Sequence, residues 1–426
     1  MKFEPVHFSM QGNQEDTIPY MMHVRQNFSE KCLEDPAEEV FRALSALKPG
    51  RLDGKRIAVT AGSRRIANLP VILRAAGDFL KGLGALPFIV PAMGSHGGAT
   101  AEGQLDMLAR LGITQESTGM PILSDMQATP IGTLESGCRI YCSRTALQAD
   151  GIVVCGRIKP HTSIQSRVES GLCKMMVVGL GKHAGAASFH RQGYPKLAQT
   201  LLEGGELFLK NAPILCGLGI VENAFDQTLC IRAVPPETLI EQEAELLALA
   251  KENMPRFLLD EIDVLVVDQI GKDVSGGGMD PNITGRSISP APAKRSIPIH
   301  SIVVLDLTDA SHGNATGIGG ADITTRRLAE KIDLNATYTN VLTSGALMAA
   351  RLPVILNNDK QAIQAAVCCI PRESPRDVKV VRIKDTLHMT EIQVSANYFP
   401  FLSTEKRIQI LGGPAVMQFD DQGQLI

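Results

Sequence analysis

The sequence predicts an α/β protein built of two α/β domains with mainly parallel sheets and an active site in the interdomain cleft. Three observations carry this. Short β-branched runs alternate with amphipathic helical stretches along the chain. The runs are near-continuously apolar over four or five residues, the pattern of strands covered on both faces, which favours parallel pairing. A chain of 426 residues, 44% of them apolar, supplies more core than one domain usually holds.

Taken in order, Asp35-Pro36-Ala37-Glu38 combines an N-cap acid, a proline at the first helical position and a glutamate at the third, so a helix starts there and runs to Leu47. A strand at 57–60 is followed by a helix at 69–83 that ends at Gly84. A strand at 88–90 is followed by a helix at 100–111 that ends at Gly112. Strands at 151–155 and 214–221 and helices at 196–210 and 237–252 continue the alternation. At Met254-Pro255 a long charged helix stops before a fresh strand at 264–267, which places a domain boundary there. Strands at 302–305 and 378–383 and a helix at 359–369 fill the second domain. The alternating segment 387–394 and the apolar Tyr398-Phe399-Pro400-Phe401-Leu402 are expected to return to the first. The first domain would then be 1–255 plus 390–426, and the second 256–389.

Composition narrows the function classes. Forty-two Lys and Arg against 45 Asp and Glu give a formal charge of -3, which offers no attraction to nucleic acid or an anionic membrane. No apolar run approaches the length of a membrane span, and the N-terminus lacks a basic segment followed by an apolar core, so a cytoplasmic location is expected. Nine scattered cysteines, odd in number and without a C-x-x-C, fit a reducing compartment. Tryptophan is absent and aromatics are 4%, so the expected ligand is small and polar.

The common nucleotide and hydrolase signatures are missing, and Gly179-Leu180-Gly181-Lys182-His183-Ala184-Gly185 carries one residue too many for the dinucleotide fingerprint. What remains is polar chemistry placed directly after strands, where ligands bind in open α/β sheets. Ser63 and Arg64 follow the first strand, and a hydroxyl with a guanidinium can cradle a phosphate or carboxylate. Gly94-Ser95-His96-Gly97 follows the second strand. Its glycines let backbone approach a ligand, and its histidine can serve as acid or base. Lys159-Pro160-His161 follows the third. Two histidines can exchange acid and base roles on opposite faces of a carbinol, as a racemase requires. Lys174 stands inside an apolar run, where desolvation suits it to covalent use, snorkelling or pairing with Glu169. His183 and His190 follow as candidate metal imidazoles. Beyond the boundary, Gln269 and Lys272 can hold a carboxylate.

The ordered set Arg64, His96, His161, Lys174, His190 and Gln269-x-x-Lys272 resembles the lactate racemase family, the nickel-pincer-nucleotide-dependent 2-hydroxyacid racemases and epimerases, over most of the chain. The resemblance implies an isomerase in which Lys174 is covalently joined to a pyridinium-dithio mononucleotide carrying Ni2+, the nickel-pincer nucleotide. His190, rather than His183, would complete the metal's ligands. It implies His96 and His161 as the acid/base pair, Ser63, Gly94 and Gly97 against the cofactor, and Arg64, Gln269 and Lys272 on the substrate carboxylate. Implied partners are a short aliphatic 2-hydroxy acid and the proteins that make the cofactor, and the sequence is compatible with a homo-oligomer. The first loop departs from the family's Asp-x-Thr-Arg-Pro pattern: it reads Ala61-Gly62-Ser63-Arg64-Arg65 and lacks the acid. Two alternatives stay open: a sugar-acid or malate epimerase on the same scaffold, and a non-catalytic anion- or nucleotide-binding protein.

Overall fold

A computed structural model describes Val6, residues 17–290 and residues 297–426. The chain divides into two compact units, Ser29–Met254 and Met1–Phe28 with Pro255–Ile426.

The unit Ser29–Met254 is built on a five-stranded sheet in the order Leu86–Pro91, Arg56–Ala61, Gly151–Arg157, Ile214–Glu222, Thr228–Val234. The first four strands are parallel, and only the last is antiparallel to its neighbour. Alternate residues feed two cores: Ile57 and Val59 pack with helices Pro36–Ala46 and Leu69–Gly82 on one face, whereas Ala58, Ile152 and Val154 pack with helices Tyr194–Asn211 and Leu239–Asn253 on the other. Both faces are dry, which is why these strands read as continuous apolar runs. Helix Pro36–Ala46 starts where its sequence signature places it, with the Asp35 carboxylate accepting from the backbone N–H groups of Ala37 and Glu38. A hairpin, Ala128–Thr133 with Arg139–Ser143, was not legible, because its glycine, proline and arginine break the alternation.

The other unit holds an eight-stranded sheet. Its order is Val354–Leu356, Ile323–Thr325, Ile299–Leu307, Ile262–Ile270, Val380–Ile383, Glu391–Ser395, Met21–Gln26, Ile408–Ala415. The first five strands are parallel and the last three antiparallel. This corrects the assignment of residues 390–426 to the first domain. Glu391–Ser395 pairs with Val380–Ile383, Met21–Gln26 pairs with Glu391–Ser395 and with Ile408–Ala415, and the Tyr398 hydroxyl donates to the Glu261 carbonyl at 2.5 Å. Alternation identifies a strand, but a ladder is fixed by which open edge accepts it, and that edge belongs to the second sheet. For the same reason strand Met21–Gln26 sits in the second unit. Among the described residues no helix is long and apolar enough to cross a membrane.

Candidate active site

Three strand ends of the five-stranded sheet deliver the loops that matter. The Thr60 hydroxyl donates to the Cys155 carbonyl at 3.0 Å and accepts the Cys155 N–H at 2.9 Å, stitching two of these ends together. The Ala92 N–H donates to the Ala61 carbonyl at 2.8 Å, and the Gly94 N–H to the Gly179 carbonyl at 3.1 Å, so the second loop is tied to the first and to the helical run beyond Lys174. Glu222 anchors the far side of the first loop. It accepts the Ala67 N–H at 2.6 Å and pairs with Arg157.

The second loop needs its glycines. Gly94 and Gly97 have φ of +59° and +67°, and a Cβ on Gly97 would stand 2.5 Å from the Gly103 carbonyl carbon. The turn presents His96, whose Nδ1 lies 2.5 Å from the Ser63 Oγ, so the first loop orients the imidazole. Desolvation first, then the charges of Arg64 and Lys174, hold His96 below the usual histidine range.

Lys174 lies in the helical turn Leu172–Lys174, which passes directly into a π-helical stretch, Met175–Leu180, and then into helix Lys182–His190. A π stretch is a costly way to continue a helix and is concentrated at functional sites. Burial, and then the neighbouring cations Arg64 and Lys159, pull the Lys174 amine down to about 7, so a large share is the nucleophilic free base at neutral pH. His190, at the far end of the run, is lowered by desolvation and then by Lys174. It is thus the histidine in the field of Lys174, although both it and His183 are exposed, at the two ends of the same helix. Arg64, His96, Lys159, Lys174 and His190 therefore share one electrostatic neighbourhood.

His161 belongs to the loop that opens at Lys159. Paired backbone hydrogen bonds between Lys159 and Ser170 close that loop. The His161 N–H donates to Glu169 Oε2 at 2.7 Å, and His161 Nδ1 accepts the Ser163 N–H at 2.9 Å, which fixes the neutral ring as its Nε2–H tautomer. Glu169, a candidate partner for Lys174 by sequence, instead receives Lys251 at 2.7 Å.

Sequence reasoning overlooked Lys182. It is fully buried and its backbone has φ of +54°. Its ammonium donates to the Pro91 carbonyl at 2.7 Å and to Gln104 Oε1 at 3.3 Å, and Gln104 Nε2 in turn donates to the Gly94 carbonyl at 3.0 Å. The pair braces the His96 turn from beneath. The signal was available, since Lys182 interrupts a Gly- and Ala-rich apolar run as Lys174 does. Burial lowers its amine to about 8. Between pH 8 and 10.5 the unfolded chain holds a proton there that the folded chain has released, so stability rises with pH across that window. The full penalty, on the order of 3 kcal/mol, is present below it. Lys182→Met is expected to flatten that rise, as read by urea unfolding at the two ends of the window.

Gln269 and Lys272 lie at and just beyond the end of strand Ile262–Ile270 in the other unit. The Gln269 N–H donates to the Lys384 carbonyl at 2.9 Å. The Lys272 ammonium donates to the Gly276 carbonyl at 2.7 Å and to Asn340 Oδ1 at 2.5 Å.

Among the described residues no group of three or more His, Cys, Asp or Glu side chains could hold a metal ion. The site supplies one nucleophilic amine, Lys174, and two imidazoles in its field, His96 and His190. That donor set suits a metal carried in by an organic group better than an ion bound by the protein alone.

No family model matches the chain, and no curated protein does. Among solved structures it is similar to the lactate racemase apoprotein of Thermoanaerobacterium thermosaccharolyticum at 15% identity and a TM-score of 0.46, over 86% of this chain and 89% of that one. It is also similar to a protein of Thermotoga maritima at 15% identity and a TM-score of 0.46, over 63% of this chain and 70% of that one.

Proposed function

We propose that the chain is an isomerase, a racemase or epimerase of a short aliphatic 2-hydroxy acid that works with a nickel-pincer nucleotide held on Lys174. The observation that carries this reading is the neighbourhood of Lys174: an amine lowered to about 7, flanked by Arg64 and Lys159, with His96 and His190 both in its field. The ordered residue pattern from Arg64 to Lys272 and its chemistry support the same assignment.

Each side chain then has a task. Lys174 provides the nitrogen for covalent attachment, and His190, kept neutral, offers its lone pair to the metal. When bound, the group supplies an acceptor for the C2 hydride, and the planar 2-keto acid left behind can be reduced on either face. His96 is held neutral and braced by Ser63, so it can take the substrate hydroxyl proton at physiological pH. His161 is assigned to the opposite enantiomer, a role in which Nε2 must give up its hydrogen and the Ser163 contact at Nδ1 be released. Arg64, exposed beside His96 and always charged, holds the substrate carboxylate.

The test is intact-mass and nickel analysis, with peptide mapping, on protein co-produced with a cofactor-maturation system, followed by assay of 2-hydroxy acids for inversion at C2. An adduct on Lys174 together with inversion is the expected result. An unmodified Lys174 under conditions that load a lactate racemase would overturn the reading in favour of a binding protein.

A further inference from the structure

Helix Leu239–Asn253 lies far along the chain from the strand-end loops, yet it sends two side chains to the segments that carry the proposed chemistry. Its buried face runs through Leu239, Ile240, Glu243, Leu246, Leu247 and Ala250, so a glutamate occupies a position in the apolar stripe. Glu243 is fully buried. Its Oε2 accepts the backbone N–H of Cys173, the residue before Lys174, at 2.8 Å. Its Oε1 is buried with no hydrogen-bond partner among the described residues. A buried carboxyl with an unmade hydrogen bond is expensive. The chain makes room for it: a Cβ on Gly171 would stand 2.1 Å from Glu243 Oε1, so a side chain there would displace the carboxyl from its place at the start of the Lys174 turn. Two turns along the helix, Lys251 meets Glu169 at 2.7 Å, and Glu169 accepts the His161 N–H at 2.7 Å.

We propose that Glu243 is a positioning residue that clamps the Cys173–Lys174 backbone and so fixes where the Lys174 amine sits in its buried surroundings, with Lys251 of the same helix serving the His161 loop separately through Glu169. The importance attached to Lys174 rests on the function proposed above. The clamp itself is a claim about the amine's environment, and it can be read without turnover.

The clamp makes Lys174 reactive, because an amine crowded by burial and two cations loses its proton early. Released from that crowding it regains ordinary lysine basicity, and its nucleophilic share at neutral pH falls. The experiment is competitive acetylation with acetic anhydride at pH 7 on protein produced without the cofactor-maturation enzymes. Labelling of Lys174 is read by peptide mass spectrometry against the exposed lysines. Glu243→Ala is expected to slow Lys174 labelling at least fivefold, and Glu243→Gln, whose amide oxygen can still accept from Cys173, to restore it. Lys251→Met is expected to leave Lys174 at the wild-type rate. General loosening of the fold would speed labelling, so the predicted direction separates positioning from stability. If Glu243→Ala does not fold, Glu243→Asp, one methylene short of the Cys173 N–H, takes its place with the same expectation. An unchanged or faster Lys174 rate in the folded Ala or Asp variant, or equal slowing in Lys251→Met, overturns the proposal. Because none of these readouts involves a substrate, that failure would be distinct from failure of the proposed isomerase activity.

Discussion

Lys174→Ala is expected to abolish turnover completely while leaving the fold intact. The side chain lies in the Leu172–Lys174 turn, and the segments around it are held through backbone N–H groups, that of Cys173 on Glu243 and that of Gly94 on the Gly179 carbonyl. Removing the amine takes away the proposed attachment point and leaves both of those hydrogen bonds in place. Lys174→Arg is expected to fail equally, because a guanidinium keeps the charge but is never the free base at neutral pH. Stability should move the other way. The folded amine is lowered to about 7, so between pH 7 and 10.5 the unfolded chain holds a proton the folded chain has lost, and the cost of charging the site is greatest below that window. Lys174→Met therefore removes a penalty at neutral pH, and its unfolding midpoint should equal or exceed that of the wild type. Intact mass without an adduct, an unchanged circular dichroism spectrum and zero inversion of substrate are the expected readings. Inversion at wild-type rate in Lys174→Ala would remove this residue from the chemistry.

His96→Ala is expected to lower kcat by about 10²- to 10⁴-fold, the usual contribution of a positioned acid or base, with a smaller change in KM. The pH profile carries more information. His96 is held below the histidine range by desolvation and then by Arg64 and Lys174, so its base form persists to lower pH than for an ordinary imidazole. The acid limb of kcat/KM is expected below 6.5 in the wild type, and Arg64→Met should move it upward as the depressing Arg64 charge is lost. Ser63→Ala removes the partner 2.5 Å from Nδ1 and should lower kcat without moving the limb far, since orientation rather than charge is lost. An acid limb that stays in place in Arg64→Met would separate His96 from the titration.

Much of the first unit was legible because its physics is local. Strands 57–60, 88–90 and 151–155 lie inside the observed Arg56–Ala61, Leu86–Pro91 and Gly151–Arg157, and the Asp35 cap forms as its residues require. Loops at the ends of such strands had to converge, so Ser63 and His96 could be singled out before any geometry was known, and Lys174 by its place in an apolar run. Lys182 and Glu243 were not. Each is a polar residue inside an apolar or amphipathic segment, and whether such a side chain snorkels to water or is sealed in depends on what packs over it.

The sequence by itself determined the α/β class, the alternation of the principal strands and helices and the order of chemical residues along the chain, since periodicity, caps and turn residues act over a few positions. Only the tertiary structure decided which sheet the last strands join, that Lys251 rather than Lys174 takes Glu169, and that Lys182 and Glu243 brace the His96 and Lys174 segments from beneath. Edge pairing and burial of a charge are set by residues tens to hundreds of positions away, and no local pattern encodes them.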